Sequence, residues 1–287
     1  MSNKQSKIPV RRPGFNFTED YNRYWFKDNI LLTHMLNSLH IVFPAGERFF
    51  VNSLKTFEKD VTDEILRKRI KNFIGQETQH GMQHEKFWDT LEKQGLHPTE
   101  YANWYAEHAY THVQLNTEKA LGTEISLAVT AALEHYTAAL AEVATELEIW
   151  NDMPEELADL LRWHALEELE HKSVSYDVLK AVKVNYTMRT LGLVIGSLSL
   201  GYYTAAGMIH FFQKDNNKST FKIFRDLPVF LQSFGRVSLK VAPIILKYLD
   251  PDFHPDQISH QAHMQKLKNE LSKNSRIKDE VLYEKPA

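Results

Sequence analysis

The sequence predicts an all-α protein, a four-helix bundle followed by additional C-terminal helices. Glycine and proline number only 11 and 10 in 287 residues, so long runs of chain lack the residues that break helices. Apolar side chains recur at intervals of three and four through one segment after another, which is the spacing of a helix face and not the alternation of a strand. Start and stop residues sit at the segment ends, most plainly Thr62-Asp63 before one long stretch and Gly95 after it.

Residues 1–23 are basic and then polar, with Pro9 and Pro13, and read as an arm lying on the surface. Residues 24–42 have helical periodicity and lead into Phe43-Pro44, where proline predicts a helix start or a kink. The helix that continues through AGERFFVNSLKTFEKDV carries Glu47, Phe50, Leu54 and Phe57 on one stripe. The next, over 63–94, aligns Ile70, Phe73, Glu77, His80, His84, Phe87 and Leu91. Residues 98–116 form a shorter amphipathic segment rich in Tyr, Trp and His.

A further helix is expected over 117–148, where Glu134 is flanked by Leu127, Ala131, Ala138 and Ala141 and is therefore placed inside the protein. His135, about 100° around that helix, reads as a supporting or surface residue. Residues 154–185 read as one helix whose core stripe is Leu157, Leu161, His164, Glu168, His171, Val178 and Val182.

Each of four core stripes thus carries ionisable groups. A buried, unpaired carboxylate costs several kcal/mol, and the usual compensations are a partner charge, protonation or a metal ion. For one helix alone the plainer reading is a solvated Glu-rich face with a core histidine. Four together read differently: Glu47, then Glu77-x-x-His80, then Glu134, then Glu168-x-x-His171. The spacings, 77 − 47 = 30 and 168 − 134 = 34 residues, each allow an antiparallel return to the same depth. Single carboxylates paired with Glu-x-x-His motifs are what ferritin-like bundles supply to two metal ions. Bridging carboxylates offset the repulsion between two cations, and each imidazole leaves coordination positions open. The expected domains are the arm, a metal-binding bundle over 24–186, and a helical extension over 187–287.

The stretches FPAGERFF, FIGQETQHGMQHE, TAALEHYTA, RWHALEELEHKSVSYDV and LDPDFHPD resemble the bacterial family labelled predicted metal-dependent hydrolases, and the likeness runs over most of the chain. The constellation also resembles the ferritin-like amine N-oxygenases, such as the p-aminobenzoate enzyme. These carry a further histidine one turn before the last Glu-x-x-His, and His164, Glu168 and His171 match H-x-x-x-E-x-x-H. The resemblance implies His164 as a seventh ligand beside Glu47, Glu77, His80, Glu134, Glu168 and His171. His84 has no counterpart and reads as a support. Little beyond these motifs is shared with the N-oxygenases, so their substrate does not transfer.

The expected cofactor is a pair of divalent ions, iron first, with manganese and zinc as alternatives. With iron, O2 would be the co-substrate of an oxidase or oxygenase acting on an apolar or amine-bearing molecule, the expected main activity. With zinc or manganese, a bridging hydroxide would serve hydrolysis. A non-catalytic iron store is a third reading. With no cysteine, thiolate sites, disulfides and cysteine nucleophiles are excluded. The net charge of −3 argues against nucleic acid as a partner.

Residues 190–212 have no Asp, Glu, Lys or Arg and are long enough to span a bilayer. Gly192, Gly196, Ser197 and Gly201 have the spacing of closely packed helices. A core helix, a homodimer seam and a membrane anchor stay open for this segment. Residues 227–249, interrupted by Arg236, Lys240 and Pro243, suit a surface or interfacial helix. If both stretches meet lipid, a long-chain apolar substrate is expected. Residues 256–275 read as a polar helix, with His254, His260 and His263 on the surface. The start, MSNKQSKIPVRRPGF, lacks the apolar run of a secretory signal, so a cytoplasmic location is expected, with membrane association left open.

Overall fold

The computed structural model describes residues 8–18, 20–273 and 277, and every regular element among them is helical. Asn29 caps α1 (Ile30–Phe57) by accepting from the Leu32 N–H. α1 continues through Pro44, so no helix starts there. Proline leaves the His40 carbonyl without its helical donor, and the Trp88 indole N–H donates to that oxygen at 3.1 Å. The orphaned acceptor is satisfied from the neighbouring helix, and the helix carries on past the proline.

Asp63 caps α2 (Glu64–Lys93) with bonds from Ile65 and Leu66, and Gly95, at φ +71°, turns the chain after it. Pro98 opens α3 (Pro98–Ala106), a π-helical turn follows (Glu107–Val113), and then α4 (Gln114–Leu121). The helix expected over 117–148 is cut at Gly122, φ +89°, leaving α5 (Glu124–Leu147) as its main part. The helix expected over 154–185 is likewise divided, into α6 (Glu155–His171) and α7 (Val174–Ala181). At the break, Lys172 donates to the Ile258 carbonyl and Ser173 accepts from Arg69 at 2.7 Å.

α1, α2, α5 and α6 form the bundle: α1 packs on α2 and α5, and α6 on α5 and α2. α8 (Tyr186–Lys214) packs along α1 and α5. A Cβ on Gly192 would lie 2.5 Å from the Ala128 backbone, and one on Gly207 2.8 Å from Ser38 Oγ, while Gly201 faces open space. Gly192, Gly196 and Gly207 therefore serve packing within the chain. α9 (Thr220–Leu246) runs back across α1 and α5, and α10 (Gln261–Leu271), shorter than expected, packs on α6.

The arm is a correction. Ile8, Val10, Arg11, Pro13, Phe15 and Phe17 are buried, while Arg12, Gly14, Asn16 and Thr18 are exposed, so an extended segment presses alternate side chains inward from residue 11 on. Phe15 meets Trp163 of α6, and Phe17 meets Phe87 of α2.

Candidate metal centre

Each bundle helix delivers its predicted residues to the interior: Glu47 from α1, Glu77 and His80 from α2, Glu134 from α5, and His164, Glu168 and His171 from α6. None is more than 6% exposed. His171 Nε2 lies 3.1 Å from Glu77 Oε1 and 3.3 Å from both Glu134 Oε2 and Glu168 Oε2. His164 Nε2 lies 2.8 Å from Glu168 Oε1 and 3.8 Å from Glu47 Oε1. His80 Nδ1 is 3.5 Å from Glu168 Oε1 and 3.7 Å from Glu77 Oε1. The cluster has two halves, Glu47–His80–His164 and Glu77–Glu134–His171, with Glu168 reaching both.

Atoms held at about 2.0–2.2 Å from a shared cation, at near-tetrahedral or octahedral angles, stand roughly 3 Å apart. The observed separations match that spacing. Moreover, both oxygens of Glu47, Glu77 and Glu134 and Nδ1 of His80 lack a hydrogen-bond partner among the described residues. Buried polar atoms are rarely left so, and seven converging on one region fit a bound metal cation.

The imidazoles are aimed from behind. His171 Nδ1–H donates to Gln76 Oε1 at 2.9 Å, leaving Nε2 inward. His80 Nε2 bonds Glu167 Oε2 at 3.1 Å, leaving Nδ1 inward. His164 Nδ1 bonds His84 Nε2 at 2.6 Å, and His84 Nδ1 meets His40 Nδ1 at 2.7 Å. His84 thus supports a neighbour, as its position in the sequence suggested. The supports are crosswise: Gln76, just before Glu77 on α2, orients the histidine of α6, and Glu167, just before Glu168 on α6, orients the histidine of α2. Arg11 from the arm then joins Glu167 at 2.9 Å and forks onto Glu170 at 2.7 and 2.9 Å. Sequence reasoning missed Arg11, Gln76, Glu167 and His40; the polar residue preceding each Glu-x-x-His was the available signal. Outer partners of this kind fix ring orientation and tautomer at metal sites.

Burial, followed by repulsion from Glu168, pushes the Glu47, Glu77 and Glu134 carboxyls well above the usual range. Burial pushes Glu168 the same way, but His171 and His164 outweigh it and hold its carboxyl well below. Burial and the neighbouring His164 keep His80 neutral, the form that binds metals, and His40 is pushed down to about 3 by the same causes. Burial raises Glu167 to about 8 against the pull of Arg11.

Beside the cluster lies a mainly apolar cavity of about 120 Å³, with Glu47, His164 and Glu168 on its wall. A single water needs about 10–15 Å³ by this measure, so an organic group fits. His135 lies outside the cluster, bonded to the Ile244 carbonyl at 2.9 Å. His260, expected on the surface, is buried between Glu142 (2.8 Å) and Lys172 (3.0 Å), and half-buried His254 bonds Asp177 at 2.9 Å.

An all-α fold whose core gathers carboxylates and imidazoles beside an apolar cavity defines a metal-dependent class of protein. The chain belongs to the predicted metal-dependent hydrolase family, whose model matches residues 9–259. No curated protein and no solved structure matches it. The family description names hydrolysis, where the sequence had put oxidation first.

Proposed function

We propose that the protein is a dinuclear metal-dependent hydrolase, with Glu47, Glu77, His80, Glu134, His164, Glu168 and His171 holding two divalent ions. The observation that carries this reading is the set of buried carboxylate oxygens and the His80 nitrogen without hydrogen-bond partners. The family description favours hydrolysis. Bound divalent ions would supply Lewis acidity and acidify a water. The chain's own part is to hold the three imidazoles at fixed tautomers, to keep Glu168 ionised, and to enclose the apolar body of the substrate between α1, α5 and α8. An ester or amide of an apolar acid suits this cavity: water adds to the acyl carbon, the bond to oxygen or nitrogen breaks, and the leaving group takes the proton.

A second reading, O2-dependent oxidation at a di-iron centre, is favoured by the H-x-x-x-E-x-x-H arrangement of His164, Glu168 and His171. Elemental analysis of protein purified without added metal separates the two. Two ions per chain and chelator-sensitive cleavage of an apolar ester, lost in Glu77→Ala, support hydrolysis. Two irons with substrate-dependent O2 uptake and no ester cleavage support oxidation. Many irons per chain would indicate storage, and no bound metal would end all three readings.

A further inference from the structure

α8 and α9 are long and apolar enough to cross a membrane, and a core helix of that character would be mostly covered. Only 28% of the most apolar stretch of α8 is buried, and 11% of that of the helical stretch Thr220–Leu249 that contains α9. The exposed residues are ordered. On α8 they follow one helical line, Val194, Leu198, Tyr202 and Ile209, with no charge on it. On α9, Phe221, Phe224, Leu231, Leu239 and Leu246 fall on one stripe at 100° per residue, with exposed Val229 and Phe234 to either side of it. Arg225, Arg236, Lys240 and Lys247, all exposed, run along one flank of that stripe. The one acid of α9, Asp226, is buried and accepts from the Ile30 N–H at 3.0 Å.

We propose that this face seats the protein on an anionic lipid surface without crossing it. An apolar stripe edged by cations matches acyl chains beneath acidic headgroups. Crossing is opposed by two features. α8 is locked lengthwise against α1 and α5 through Gly192, Gly196 and Gly207, so it cannot leave the bundle. Arg236 lies in the interior of α9, where hydrocarbon would strand its charge, and Lys240 is tied to Glu146 of α5 at 2.7 Å.

The same face bears on the substrate, a step that rests on the hydrolase reading. Ile195, Ser199, Leu200 and Tyr203 of α8 form one wall of the cavity, and the adjoining face of this helix, about 100° around it, carries Leu198 and Tyr202 outward. The cavity therefore borders the lipid-facing side of this helix, and the substrate class is an ester with a long apolar chain, drawn from the bilayer.

Flotation of the full chain with phosphatidylcholine vesicles, with and without phosphatidylglycerol, tests the seating. The wild type should float with both, more strongly with the anionic ones. Arg236→Gln with Lys247→Gln should weaken anionic binding about 25-fold, at about fivefold per cation, and leave neutral binding unchanged. Leu198→Gln, Phe221→Gln and Leu239→Gln together, all at exposed positions and checked for folding by circular dichroism, should abolish both. Failure of the wild type to float overturns the proposal, as does a lipid-free dimer, seen by light scattering, that the triple variant dissociates. For the substrate, the triple variant should lose cleavage of a vesicle-borne long-chain ester and keep that of a short soluble one. Equal loss of both refutes the lipid route, whereas vesicle binding with no cleavage of either ester in the wild type refutes the hydrolase reading alone.

Discussion

Loading the stripped protein with metal should release protons. Without a cation, burial and repulsion from Glu168 hold Glu47, Glu77 and Glu134 well above the usual carboxylate range, which favours their protonated form. Glu168 is held low and His80 is pushed towards its neutral form, so the raised carboxyls are the source. Metal binds the bare carboxylates, and the protons they carry must leave. The assay is titration of chelator-stripped protein with Mn(II) or Zn(II), which add no oxidation step, in weak buffer with a pH indicator. Two equivalents should be taken up before the signal levels. At a thousandfold excess over Kd the gain in stability is about 4 kcal/mol. At roughly 2–4 °C per kcal/mol, the thermal midpoint should rise by about 8–16 °C. Binding without proton release, or saturation at one ion, would refute the shared centre.

The metal-free protein should also lose stability as pH rises above about 6.5, where the raised carboxyls of Glu47, Glu77 and Glu134 still act and the histidines no longer do, by scanning fluorimetry, and the loaded form should lose less. Raised carboxyls stabilise the folded chain fully below their unfolded pKa, and that contribution is lost as pH rises through their folded values. The depressed histidines act the other way, but only below about pH 6.5. Gln76→Leu should lower metal affinity about 10–100-fold by freeing the His171 ring, with the fold retained by circular dichroism. Trp88→Phe should cost about 1–3 kcal/mol in urea unfolding, and less in a Pro44→Ala background, where residue 44 can again donate to the His40 carbonyl. Gly192→Ala should cost about 1–3 kcal/mol because its methyl meets the Ala128 backbone, while Gly201→Ala should cost far less.

Most of the architecture was legible because helix periodicity is a local property, and the carboxylates and imidazoles stood out by interrupting apolar stripes. What escaped depended on distant partners. Pro44 looked like a helix boundary because the indole that rescues it belongs to another helix. Arg11 looked like surface charge because its carboxylates lie 156 and 159 residues away. Glu167 and Gln76 were hidden by adjacency, since a polar residue beside a predicted ligand reads as the solvent side of a helix until the opposing helix is in place. The split between α6 and α7 left no glycine or proline in the sequence to announce it.

The reach of Arg11 has a consequence for how the protein comes into being. Translation at about 5–20 residues per second separates its emergence from that of Glu167 by roughly ten to thirty seconds. Throughout that interval Phe17 can already meet Phe87 of α2, but Phe15 lacks Trp163, and the backing of His80 by Glu167 does not exist. The last clasp on the α2 histidine therefore closes only once α6 has emerged, long after the arm that completes it.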